Sequence, residues 1–311
     1  VKTIGLCFST PDMRSGAWRD ASYGKKYPGA GFMRHLVDQG FRVMAGESVL
    51  EHIKALSIAP SEVIVVQEER NAIGQDLVGM GADARVLLCL ESPIYAPHFY
   101  DNIPTNFKHR LLFDGGTEHV YFSSFDDEDL KDPVPWDERK FLCMVTANKH
   151  YSMLGKKNCD SLSYAKALET QLQDYRYDAI GYFKGKNDFD LYGRGWFDLA
   201  RPCEDKLATI RNYKFALCFE NGSYPGYTTE KIIDCLVAGV IPIYRGAPDI
   251  EKYIPLAAFI DARNFSSFTE MESALRAYPN DRPDFRKWLQ GPRGRHYNNR
   301  VFAKRILELC Q

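Results

Sequence analysis

The residues predict an α/β protein of two Rossmann-like halves, each a parallel sheet with crossover helices, and three observations carry that expectation. Strand-like and helix-like segments alternate from residue 2 onward. The alternation is interrupted by a charged stretch with two prolines, DDEDLKDPVPWDERK at 126–140, and restarts with FLCMVTAN at 141–148. A complete βαβ unit then occupies residues 213–250. A length of 311 residues suits two domains, and the charged stretch has the composition of a linker. The division read from it is 1–130 for an amino-terminal domain, 131–290 for a carboxyl-terminal domain and 291–311 for a terminal helix.

In chain order, KTIGLCFST at 2–10 reads as a first strand ending in a polar turn. Residues 11–31 are rich in Gly, Ser, Asp, Arg and Tyr and read as a loop over an active face. Residues 32–40 have helical character, FRVMAG returns as a strand, and Ser48 can cap a helix running to Leu56. VIVVQ at 63–67 is a third strand. Gly79-Met-Gly81 suggests a dinucleotide fingerprint, but its glycines precede the strand RVLLCLES rather than follow one, so that reading is dismissed. RVLLCLES ends in Leu90-Glu91-Ser92-Pro93, a carboxylate at a strand's carboxyl end followed by a forced turn. Such a place suits a general base facing an interdomain cleft. For Glu91 alone, a charge that merely ends a strand is the commoner case. In the second half a helix is expected over 162–175, with Ala165, Leu168 and Leu172 on one side. Near the end, AAFIDARNF gives a strand and turn, and SSFTEMESALRAY a capped helix.

The stretch 213–250, YKFALCFENGSYPGYTTEKIIDCLVAGVIPIYRGAPDI, is the most informative. The apolar run from Phe215 to Phe219 is short and rich in strand formers. A polar loop follows, and Thr228 or Thr229 can cap the helix that carries Glu230 in its first turn. Ile232, Ile233, Leu236 and Val237 share a helical face, Gly239 stands where the helix would end, and Val240 to Tyr244 is a second buried strand. Ligands of open α/β sheets bind at the carboxyl ends of strands. Free N–H groups at the helix start, together with Lys231, make a diphosphate cradle there, and Asn221 and Glu230 add groups able to hold hydroxyls. One at a time these residues describe an ordinary helix start, with Glu230 as a capping carboxylate and Lys231 solvated. Together they describe a nucleotide-sugar site.

CFEN, then TEK, then AGVIPIYRGAP resembles the donor-binding signature of the α-1,3/4-fucosyltransferases, the GT10 glycosyltransferases that use GDP-fucose. The similarity is densest over about 191–265, from LYGRGW through FIDARNF, and thins to islands elsewhere. The resemblance implies a GT-B architecture, two Rossmann-like domains with a cleft between them, the first half holding the acceptor and the second GDP-fucose. It implies an inverting transfer to a hydroxyl of a glycan, with Glu91, in an ESP tripeptide matching the family's, as the catalytic base. On the donor side it implies Asn221, Tyr227, Thr229, Glu230, Lys231, Arg194 of LYGRGW and Lys149. One departure stands out: the family's diphosphate-binding arginine, expected at a helix start after the first strand of the second half, is missing from ANKHYSMLGKKNCDSLSYAKAL at 147–168. Lys149, Lys156 or Lys157 could substitute, as point charges without a planar fork. Asp188-Phe-Asp190 imitates the DxD metal motif of another glycosyltransferase fold, yet it runs straight into LYGRG, so no metal site and no required cofactor are expected. A different nucleotide-deoxysugar donor, or a non-catalytic glycan-binding module, are the competing readings.

Composition sets outer bounds. The chain is 45% hydrophobic and 26% charged with a net charge of −1, which gives no electrostatic footprint for nucleic acid. Its eight cysteines include no CxxC pair, and several lie in apolar runs, which favours buried free thiols, a reducing compartment and a cytoplasmic or peripheral membrane location over the Golgi lumen. No apolar run has the length of a membrane span. Of two sequons, the one at Asn221 would put a glycan in the donor loop, so glycosylation there is not expected. The tail is basic and ends in VFAKRILEL, whose apolar stripe could pack across the domains or touch a membrane, with a solvated helix face preferred.

Overall fold

A computed structural model describes residues 2–8, 30–69, 71–113, 119, 121, 125–149, 160–279 and 284–311. The expected loop at 11–31 lies outside the described residues apart from its last two positions, and Lys156 and Lys157 lie outside them too. Two all-parallel sheets organise the chain. The first contains β1 (Thr3–Cys7), β2 (Arg42–Ala45), β3 (Val63–Glu68), β4 (Asp83–Leu88) and β5 (His109–Leu111), in the order β2-β1-β3-β4-β5. Its strands are near-continuous apolar runs because both faces are covered. Helices α1 (Ala30–Asp38), α2 (Gly46–Lys54), α3 (Ala72–Gly79) and α4 (Pro97–Asp101) connect them. Val49, Ile53 and Leu77 from α2 and α3 pack with Val63, Val65 and Leu87 on one face of the sheet. The expected cap of α2 is corrected: the N-cap is Ala45 and Ser48 lies within the helix, where its carbonyl accepts from His52 Nδ1 at 2.8 Å.

The second sheet contains β6 (Lys140–Val145), β7 (Phe189–Tyr192), β8 (Tyr213–Phe219), β9 (Ile241–Arg245) and β10 (Ile260–Asp261), in the order β10-β9-β8-β6-β7. From β6 the chain steps outward to β7 and then back across to β8. The carboxyl ends of β6 and β8 therefore flank the switch point, where such sheets take ligands. The single helix expected over 162–175 is two, α5 (Leu162–Thr170) and α6 (Gln173–Phe183). The buried side of α5 is also not the expected one. Tyr164 and Ala167 are covered, whereas Leu162 and Leu168 are exposed, because α5 packs on the core of the first half through Tyr164 and Ala167. Helices α7 (Lys206–Ile210), α8 (Glu230–Ala238) and α9 (Phe268–Arg276) complete the second layer, and α10 (Arg286–Gln290) leads to the last helix, α11 (Asn299–Cys310).

The solvated face preferred for the tail is overturned. Phe302, Ala303, Ile306, Leu307 and Cys310 of α11 are buried against Ile4, Leu6, Val43 and Val86 of the first sheet. The apolar stripe covers the sheet face that α1 leaves open, and removing it from water favours this return of the chain. The charges of α11 occupy its outer side. No described helix is long and apolar enough to cross a membrane.

Candidate active site

Beyond Phe219, at the end of β8, the chain turns through residues 220–229 into α8, and the hub of the turn is a carboxylate that the sequence reading had placed in a polar loop. Glu220 is fully buried. Its carboxylate accepts from the N–H and the hydroxyl of Thr229 and from Lys231 Nζ, each at 2.9 Å. Thr229 is the N-cap of α8, as expected, and its Oγ1 lies 2.8 Å from Lys231 Nζ. Thus the carboxylate that meets the Thr229 N–H at the helix start comes from the residue after β8, alongside Glu230, whose carboxylate meets a backbone N–H of its own. Lys231 Nζ is also 3.7 Å from Glu230 Oε1. Burial, the largest influence on Lys231, disfavours its charge, but Glu220 and Glu230 outweigh it and raise the pKa, so the ammonium stays protonated. For Glu230 burial again acts first and would raise the pKa, yet Lys231 and Lys206 bring it below the usual range. The site is thus a dry group of fixed charges at a helix start, with Lys231 partly open to the crevice.

Asn221 and Tyr227 organise the loop. Asn221 donates Nδ2 to the Tyr227 hydroxyl at 3.2 Å, and its Oδ1 accepts from Arg176 Nη1 at 2.8 Å. With both ends engaged, the amide ties the loop down. Tyr227 is buried, its ring edge-on to Phe113 at 5.1 Å and near Tyr224 at 5.7 Å, so the loop inserts its tyrosines into the first half of the molecule.

From that first half comes Glu91, three residues past the end of β4. Its carbonyl accepts from Tyr100 Oη at 3.1 Å and from the Cys89 thiol at 3.4 Å, which hold the backbone while the side chain remains accessible. The carboxyl pKa is raised above the ordinary range, first by the protein that walls the recess and then by Glu230, while Lys231 and Lys149 oppose the rise. The charges of Lys231, Lys149 and Glu230, which come from the second half, therefore act on the Glu91 carboxyl. Lys149 lies at the carboxyl end of β6, and its carbonyl accepts from Tyr95 Oη at 2.7 Å, four residues past Glu91. Tyr95 also accepts from Gln173 Nε2 at 2.6 Å, so one phenol joins the base segment to β6 and α6.

Arg194 is not gathered into this group. It stands exposed after β7, at the sheet edge, and touches the site through its backbone, whose carbonyl accepts from Asn148 N at 2.8 Å. Gly193, at φ +130°, is required there because a Cβ would collide with the carbonyl oxygen of Thr146. The two carboxylates of the DxD look-alike are occupied elsewhere. Asp188 pairs with Arg276 at 2.9 Å, and Asp190 with Lys140 at 3.1 Å and Arg201 at 3.2 Å.

Two residues were missed in the sequence. Arg176, in the first turn of α6, is buried and donates Nε to the Phe219 carbonyl at 3.0 Å, with Nη2 on the same oxygen. It lies one helix beyond the 147–168 stretch, behind the loop at 220–229. Its signal was present: Gln173, Arg176, Ala179, Ile180 and Phe183 share the buried side of α6, and an arginine on an apolar stripe needs partners. Glu69 is the second. It follows β3 with a left-handed backbone, φ 49°, and its carboxyl is pushed up to about 8 by burial and by the charges of Glu68 and Glu91. No sequence pattern announces that conformation.

An accessible carboxylate of one half, within electrostatic range of a caged ammonium beside a helix start of the other, has the chemistry to deprotonate a hydroxyl and to meet a departing anion. Comparison with known proteins is consistent with that chemistry. Residues 157–311 match the model of glycosyltransferase family 10 (fucosyltransferase), C-terminal part. The α-(1,3)-fucosyltransferase FucT of Helicobacter pylori is 42% identical over 67 residues, 22% of this chain and 14% of the relative. Human α-(1,3)-fucosyltransferase 4 is 38% identical over 90 residues, 28% of this chain and 17% of the relative. The mouse 4-galactosyl-N-acetylglucosaminide 3-α-L-fucosyltransferase 9 is 34% identical over 91 residues, 29% of this chain and 25% of the relative. The matched stretch thus spans a quarter or less of each relative's length. A crystallised α1,3-fucosyltransferase with GDP superposes with a TM-score of 0.50 at 16% identity over 99% of this chain and 88% of that one, which shows the GT-B fold.

Proposed function

Since the chain belongs to glycosyltransferase family 10 through residues 157–311, we propose that it moves fucose from GDP-fucose to a hydroxyl of a glycan acceptor with inversion. The observation that carries the reading is the Lys231 ammonium held at the start of α8 by buried Glu220 at 2.9 Å, its charge reaching Glu91 of the other half. Glu91 takes the proton of the acceptor hydroxyl as that oxygen forms its bond to the anomeric carbon. The bond from that carbon to the diphosphate breaks on the opposite side, and GDP leaves with the electron pair. The charge that grows on the diphosphate is met by Lys231 and the first N–H groups of α8, with Arg176 adding positive field from behind the loop. A preplaced lysine and helix start can do the work of a divalent ion, so the reaction is expected to need no metal. Lys149 and Arg194 lie at the carboxyl ends of β6 and β7, where they can reach the nucleotide. Seven described cysteines are free thiols, most of them buried, which supports a reducing compartment.

The test is Glu91→Gln, assayed for GDP release with GDP-fucose and an acceptor panel that includes 4-galactosyl-N-acetylglucosaminide. Turnover is expected to fall about 10²–10⁴-fold, while GDP still raises the melting temperature by mass action. Undiminished turnover would remove Glu91 from the mechanism. Release from another nucleotide sugar, with none from GDP-fucose, would keep the mechanism and change the donor.

A further inference from the structure

A hollow in the amino-terminal half takes no part in the chemistry above. It encloses ≈ 590 Å³ between Asn71, Ala72 and Gln75 at the start of α3 and Pro104, Thr105 and Asn106, which follow α4. Its lining is two amides on one side, an amide and a hydroxyl on the other, and two small apolar residues. Among the described residues no formal charge lines it. From those lining residues phosphate or carboxylate ligands would gain no counter-charge, whereas the hydroxyls of a neutral sugar would find both donors and acceptors. The fold leaves those groups available. Asn71 uses Oδ1 to cap α3 through the N–H of Gly74 at 3.1 Å, which keeps its Nδ2 for a ligand. Gln75 uses Nε2 on Gln67 Oε1 at 3.3 Å, which keeps its Oε1. Gly74 admits Gln67 to this position, since a Cβ would collide with the Gln67 amide.

The hollow is wired to the base. Gln67 Nε2 donates to the carbonyl of Glu69 at 2.6 Å, and the Glu69 carboxyl is within electrostatic range of Glu91. On the other rim, Tyr100 of α4 holds the Glu91 carbonyl at 3.1 Å, and Pro104 to Asn106 follow that helix directly. One wall thus continues from the helix that holds the Glu91 backbone, and the other from a strand end whose carboxyl lies in electrostatic range of Glu91. We propose that this hollow is a distal acceptor subsite, which binds an uncharged sugar residue of the oligosaccharide whose reactive hydroxyl lies at Glu91. The inference rests on the glycosyl-transfer reading and adds to it the part of the acceptor that is recognised.

The experiment uses the double variant Thr105→Val/Asn106→Ala in the full chain, both positions being exposed, with an unchanged thermal melt as the check on folding. Two acceptors are compared, the disaccharide 4-galactosyl-N-acetylglucosaminide and a tetrasaccharide made of two such units. Loss of two neutral hydrogen bonds corresponds to about a tenfold rise in KM. That rise is expected for the tetrasaccharide only, with kcat, the KM for GDP-fucose and the KM for the disaccharide unchanged. An equal effect on both acceptors, or none on either, overturns the subsite. If the unaltered protein transfers no fucose, the functional reading fails, but saturation-transfer NMR with the tetrasaccharide still decides the present one. Binding that is lost in the variant sustains the subsite, and equal binding or none to the unaltered protein overturns it.

Discussion

Lys231 is neutralised before any ligand arrives, held between Glu220, Thr229 and Glu230. A diphosphate bound there as proposed would compete with those partners, and would gain because they keep the ammonium aimed without fresh reorganisation. Because Glu220 is buried, deleting the lysine would strip its carboxylate of its contact ion pair and leave only the longer-range charge of Arg176, a loss of up to about 3–5 kcal/mol. A fall in activity at this position therefore has to be separated from a fall in stability. Glu69 offers a cleaner measurement. Burial, with Glu68 and Glu91 nearby, pushes its carboxyl up to about 8. The folded state thus keeps a proton that the unfolded chain has already released, and stability drains away as pH rises from the ordinary carboxylate range through about 8. Glu69→Gln removes this titration. Urea melts from pH 5 to pH 9 are expected to show the unaltered protein losing stability relative to the variant at the alkaline end, and parallel curves would refute the assignment. With Glu91 as the proposed base, its raised pKa is expected to place the acid limb of kcat/KM above the range of a free carboxylate, which a pH–rate profile checks.

Helix α6 acts as the element that sets the donor loop. Its first turn presents Arg176 to the Phe219 carbonyl and to Asn221, and Gln173 to Tyr95. The arginine's fork spans strand end and loop at once, which a lysine cannot do. Burial lowers the Arg176 pKa and Glu220 opposes that, so the guanidinium stays charged inside the fold. Arg176→Lys is expected to weaken GDP binding at least tenfold by calorimetry while Gln173→Glu, which keeps an acceptor beside Arg176, does so less. Equal affinity in Arg176→Lys would show that the loop is set by Asn221 and Tyr227 alone. The break between α5 and α6 has the same origin, since Leu172 is buried and donates its N–H to the Asn221 carbonyl at 2.9 Å, a bond a continuous helix would forgo.

The whole molecule is closed by its last segment. α11 completes the core of the first half, although most of the second half separates it in sequence from β1. Phe125 and Asn298 bridge at the same seam, and the Phe125 carbonyl accepts from Asn299 N at 3.0 Å. The two halves are thus linked by Tyr95, by the inserted tyrosines of the donor loop and by the returning helix. Removal of residues 299–311 would bare a large apolar face of the first sheet. Hydrogen exchange is expected to show protection lost in β1 and β2 and kept in β8 and β9. Retained protection in β1 would mean that α1 suffices to cover that face.

Local signals were legible in the residues themselves. Apolar runs at strand length, capping threonines and Gly239 foretold the alternating fold, because backbone geometry is set within a few residues. The loop-to-helix motif at 219–231 was legible as a capped helix start carrying a lysine, and it is the side proposed for the donor, as Glu91 is proposed for the base. Which side of α5 is buried, where α11 lies and what holds Lys231 were not legible, because each depends on a partner far away in the chain. Glu220 reads as a loop carboxylate until the fold brings Thr229 and Lys231 to it, and Arg176 reads as an ordinary helical charge until Phe219 and Asn221 surround it. A side chain's charge is written in the sequence, but the dielectric and the counter-charges around it exist only once distant segments have met.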